Sequence, residues 1–88
     1  MIMKLAMYSR AALNRDFPGF SLQKGDVVTL VEFLEARREL PDAYVCEVFN
    51  AAGDSIDIIT VPESELVPLL ENQILHTRTL TTAGRHTA

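Results

Sequence analysis

The sequence predicts a small all-β fold built as a barrel, and three observations predict it. Residues 27 to 35, Val-Val-Thr-Leu-Val-Glu-Phe-Leu-Glu, form a β-branched run opened by the pair Gly25-Asp26, a composition that disfavours helix and suits a pleated strand. Two more strand-like runs follow, separated by a turn carrying Gly53-Asp54, the pattern of short strands and tight turns from which small barrels are made. Hydrophobic residues reach 48% of the chain while aromatics reach only 7%, with no Trp, so the core is to be assembled from Val, Leu and Ile.

The elements follow in chain order. Ala11, Ala12 and Leu13 sit in a short first strand near residues 8 to 14, ended by the turn signal Pro18-Gly19. Gly25 occupies a place that can take positive φ and leads into the longest strand. There Val27, Thr29, Val31 and Phe33 point one way and Val28, Leu30, Glu32 and Leu34 the other, because side chains alternate along a strand. Both faces are largely apolar, so either the strand curls through a barrel wall or its second face is covered by another segment or subunit. Residues 36 to 42, Ala-Arg-Arg-Glu-Leu-Pro-Asp, read as a charged loop. A strand over 44 to 49, a hairpin loop with Gly53 in the left-handed position, and a strand over 55 to 61 come next. Pro62-Glu63-Ser64-Glu65 reads as a single 3₁₀ turn, and 67 to 70 as a closing strand that Pro68 confines to an edge. Leu70, Ile74 and Leu75 continue as a short helical or irregular extension, and the Thr-rich stretch after residue 76 reads as a flexible tail. The domain therefore runs over residues 8 to 70, with an extension over 71 to 88. The first six residues, with Met1, Met3 and Met7 as alternative starts, read as a leader rather than as structure.

Size and charge narrow the function classes. A chain of 88 residues buries only about 60 to 65% of its unfolded surface, which leaves little stability for deep or strained catalytic sites. One cysteine, Cys46, cannot make an internal disulfide, and Arg10 interrupts the first apolar stretch before it reaches signal-peptide length, which together point to the cytoplasm. No run approaches the ~20 apolar residues of a spanning helix. The net charge of −4 divides unevenly: residues 1 to 21 carry +2, residues 22 to 75 carry −8, and residues 76 to 88 carry +2. An acidic body disfavours nucleic acid, whose binding draws on clustered Lys and Arg, and is either a solvated surface that serves solubility or the match of a basic protein partner.

The succession of a Pro-Gly turn, the run Leu-Gln-Lys-Gly-Asp-Val-Val-Thr-Leu-Val-Glu from Leu22, a hairpin at Gly53-Asp54, and Val-Pro-Glu-Ser-Glu-Leu-Val-Pro-Leu from Val61 resembles a family of small bacterial proteins, the domain of unknown function family 4926. The likeness runs from Leu13 to Leu69. It implies an SH3-like barrel of about five strands and a bacterial, cytoplasmic protein, with no established activity or site residues to transfer. It also implies a small acidic partner of a neighbouring toxin-like protein. The basic amino-terminal residues and those after Leu75 fall outside the likeness.

No set of residues assembles a catalytic or metal site. Cys46 lies mid-strand among apolar neighbours, where a free thiol acts as a small hydrophobe. His76 and His86 stand ten residues apart without a companion cysteine, short of the convergent ligands zinc needs. Asp54 with Asp57 and Glu63 with Glu65 read as solvated turn acids rather than acid-base pairs. Arg37 and Arg38 can clamp a carboxylate or phosphate, and with Glu39 they make the loop a candidate contact. Leu70, Ile74 and Leu75 are too apolar for a free tail and are expected to pack on the barrel, on a second copy of the chain, or on a partner. The reading is a non-enzymatic, cofactor-free protein-interaction module of antitoxin or immunity type, using Arg37, Arg38, Glu39, Leu70, Ile74 and Leu75. The alternatives are a nucleic-acid-associated barrel using its basic ends and an accessory subunit of an enzyme.

Overall fold

A computed structural model describes residues 5–80 of the chain. Strands β1 (Arg10–Leu13), β2 (Val27–Leu34), β3 (Ala43–Phe49), β4 (Ser55–Pro62) and β5 (Leu66–Pro68) are joined by 3₁₀ turns at Pro18–Phe20 and Glu63–Glu65. They form one antiparallel sheet in the order β4-β3-β2-β1-β5. The all-β class, the five strands and the 3₁₀ turn before the last strand agree with the expectation from sequence. The barrel, however, is not closed, because β4 and β5 lie at the two ends of the sheet. β5 is only three residues long and ends at Pro68, which has no N–H to offer a ladder.

Turn chemistry sets these connections. Gly25 adopts φ 95° and Gly53 φ 91°, conformations that glycine enters without the Cβ penalty. Asn50 fixes the second hairpin, since its Oδ1 accepts the N–H groups of Ala52 at 3.0 Å and Asp54 at 2.9 Å, an Asx-type closure. Asp42 Oδ1 likewise accepts the Ala36 N–H at 2.7 Å across the base of the charged loop.

One bulge reorganises the reading of β2. Leu30 pairs with Cys46, but Glu32 rather than Val31 pairs with Val45, and Phe33 then pairs with Tyr44. The extra residue shifts the alternation, so that Val28 and Leu30 are core residues before it and Phe33 packs against the core after it. Phe33 lies 5.1 Å from Tyr44 between ring centroids, tilted at 59°. The apolar character of both faces of this strand thus comes largely from a change of phase. It does not require a second covering layer.

The core collects Leu13, Val28, Leu30, Tyr44, Cys46 and Val61, all essentially inaccessible. Tyr44 is the largest of them, and its hydroxyl both accepts the Leu5 N–H and donates to the Leu5 carbonyl, each at 3.1 Å. Leu5 and Met7 pack against the core. Residues 5 and 6 therefore belong to the fold rather than to a leader, because Tyr44 needs a polar partner for its buried hydroxyl and the backbone of Leu5 supplies it.

At the other end the expected extension takes its irregular form: residues 71 to 76 contain a turn and no helix, since six residues with no surface to pack against cannot offset the cost of helix nucleation. Arg78 does not lie in a free tail, because it is bonded to Asp26. The rest of the predicted tail, with His86, lies outside the described residues.

Candidate functional site

The loop between β2 and β3 is tighter than its length suggests. The Arg37 N–H bonds the Leu40 carbonyl at 3.1 Å and the Leu40 N–H bonds the Arg37 carbonyl at 2.8 Å, leaving Arg38 and Glu39 as the two residues of a hairpin tip. Arg38 has φ 56°, a left-handed conformation that costs a non-glycine residue about 1 kcal/mol or more. Arg37, Arg38 and Glu39 make no side-chain hydrogen bond or ion pair among the described residues. With Leu40, 70% exposed, they line an open concavity of about 570 Å³. That volume falls in the range of ligand pockets, but the walls come from one turn alone, so it cannot enclose a small molecule as such pockets do.

The second predicted contact is the stretch after β5. Leu70 is 57% exposed, Ile74 92% and Leu75 56%, so the segment does not pack on its own sheet. It is nonetheless shaped: the Leu70 N–H donates to Gln73 Oε1 at 2.7 Å and the Gln73 N–H to the Leu70 carbonyl at 3.0 Å. The structure leaves Leu70, Ile74 and Leu75 exposed on one segment and does not link them to Arg37, Arg38 and Glu39 through hydrogen bonds or ion pairs.

At the basic ends, Arg15 and Arg78 are held by internal contacts. Arg15 stacks over the Phe17 ring at 4.0 Å and faces Glu65 at 3.5 Å. Arg78 forks onto Asp26, Nε to Oδ1 at 2.9 Å, and Nη2 also donates to the Ser21 carbonyl at 3.1 Å. Burial pushes the Asp26 carboxyl up, but the Arg78 hydrogen bonds, the Gln23 N–H and the Arg78 charge outweigh it and hold the group below the usual carboxylate range. Nothing in the sequence signalled this pair, whose members stand 52 residues apart.

Cys46, Asp54 and Asp57 each have a structural contact. Cys46 is fully buried, its Sγ 3.6 Å from the Tyr44 carbonyl, and burial pushes its thiol up to about 11. Such a thiol is neither a nucleophile nor a ready metal ligand. Asp54 serves its hairpin as an acceptor for Asn50 at 3.4 Å, and Asp57 accepts the Ile58 N–H at 2.9 Å. Among the described residues no three His, Cys, Asp or Glu side chains converge as metal ligands, and no helix is long and apolar enough to cross a membrane. No protein-family model, curated protein or solved structure matches the chain, so what the loop and the segment can do rests on their geometry.

Proposed function

We propose that the chain is a non-enzymatic protein-interaction module that docks a protein partner through Leu70, Ile74 and Leu75. The observation that carries this reading is the exposure of these three large apolar side chains on one shaped segment. Single exposed apolar residues are ordinary, but three within six positions supply apolar area whose burial repays association. The acidic stretch from 22 to 75, with its charge of −8, favours a basic partner and steers its approach. In that role the module acts by masking, as the neutralising, antitoxin- or immunity-like half of a bacterial pair in the cytoplasm. The internal pairing of Arg15 and Arg78 supports this over nucleic-acid binding through basic ends.

The test is capture from the native cell with the tagged chain and with a Leu70→Ser, Ile74→Ser, Leu75→Ser variant in parallel, followed by mass determination of each eluate. A stoichiometric protein held by the first and lost by the second supports the reading. Equal capture by both removes the segment from it, and nucleic acid in the eluate replaces it.

A further inference from the structure

Residues 70 to 79 are all exposed, and a stretch so poor in packing ordinarily frays. This one is held at both ends. Upstream, β5 is paired to β1 through Leu66, Val67 and Pro68. Downstream, the Arg78 guanidinium reaches three acceptors: Asp26 Oδ1 at 2.9 Å, Asp26 Oδ2 at 2.5 Å and the Ser21 carbonyl at 3.1 Å.

Both acceptors of that fork are themselves fixed by backbone geometry. Asp26 Oδ2 takes the Gln23 N–H at 2.8 Å. Leu13 and the Gly25-Asp26 turn exchange two backbone bonds, Leu13 N–H to the Asp26 carbonyl at 2.9 Å and Gly25 N–H to the Leu13 carbonyl at 2.8 Å. Ser21 stands at φ 60°, with its N–H on the Pro18 carbonyl at 3.2 Å. A planar guanidinium meeting a preset carboxylate and a preset carbonyl is the arrangement in which arginine loses least freedom per bond formed.

We propose that Arg78 is the clasp of a loop pinned at both ends, which orders the segment between Pro68 and Arg78 and presents Leu70, Ile74 and Leu75 in advance of docking. The clasp rests on the docking reading for its purpose, though not for its existence. Closing a loop of this length in the free protein removes part of the ordering cost that a partner would otherwise meet. Arg78 acts through the loop as a positioning residue, and Gln73 pinches the loop a second time by bonding Leu70.

Backbone ¹⁵N relaxation on the full chain tests this without a partner. In the unaltered protein the amides of Ile74 and Leu75 are expected to show order parameters near the rigid value of about 0.85, and in Arg78→Gln to fall below about 0.6, with the strands unchanged. Arg78→Lys, which keeps the charge but not the fork, is expected to fall between the two. Order parameters already below about 0.6 in the unaltered protein, or unchanged in Arg78→Gln, would overturn the clasp. Because the readout needs no partner, its failure is separate from a failure of the capture experiment, which bears on docking alone.

Discussion

The bulge at Val31 makes a prediction that distinguishes two registers of the same strand. With unbroken alternation from Leu30, the next inward positions are Glu32 and Leu34, and Phe33 faces out. With the bulge, Phe33 faces Tyr44 and Leu34 faces out, 36% exposed. Fully burying a Phe and then truncating it to Ala costs about 3 to 5 kcal/mol, and Phe33 is only partly buried, so roughly half of that applies. Losing the tilted ring pair with Tyr44 adds about 0.5 to 1.5 kcal/mol. Phe33→Ala is thus expected to destabilise by about 2 to 4 kcal/mol in equilibrium urea unfolding. Leu34→Lys supplies the contrast, because a charge on the outer face is expected to cost about 1 kcal/mol or less, while the same charge inside the core costs several. If Leu34→Lys unfolds the domain and Phe33→Ala leaves the midpoint in place, the register is wrong and the bulge with it.

Three other outcomes follow from the same geometry. Arg38→Gly is expected to stabilise the fold by about 0.5 to 1 kcal/mol in chemical denaturation, since glycine relieves the positive φ at the hairpin tip; a loss of stability would mean that the tip is not strained. Cys46 is expected to resist a thiol reagent such as dithionitrobenzoate at neutral pH and to react at once in denaturant, because its thiol is buried and pushed up to about 11; rapid reaction in the native state contradicts the buried placement. The Asp26 carboxyl, held below its ordinary value of 3.8, contributes stability that is present above that value and is lost as pH falls through the lower folded one. The groups that face it are Arg78 and the Gln23 N–H. The stability difference between the unaltered protein and Arg78→Gln should therefore shrink towards low pH to what the pH-independent bond to the Ser21 carbonyl contributes, and a difference of undiminished size there would place the effect of Arg78 elsewhere.

What could be read from sequence was what is encoded locally. Gly25 and Gly53 mark turns that need positive φ, Pro62 with Glu63 marks a 3₁₀ start, and Pro68 marks an edge. The bulge was hidden because Val31 sits in a run of strand formers with no glycine to punctuate it. The stripe Leu70, Ile74, Leu75 has helical spacing, but no surface receives it and the segment stays irregular around one turn. Leu5 leaves no local signal of its role, because its partner, the Tyr44 hydroxyl, lies 39 residues away. The same holds for Arg78, whose contact spans 52 residues. For the candidate contacts, composition alone identified Arg37, Arg38 and Glu39 as a charged loop, but the hairpin closure that strains Arg38 depends on the pairing of Arg37 with Leu40.

The most direct measurement is site-specific photo-crosslinking in the native cell, with a benzophenone side chain at position 74 and, as a control, at Thr60 on the outer β4 strand. Docking through the exposed segment predicts a discrete adduct at 74, of a mass other than twice that of the chain, and none at 60. No adduct at 74, an adduct of twice the chain mass, or the same adduct from both positions would contradict it.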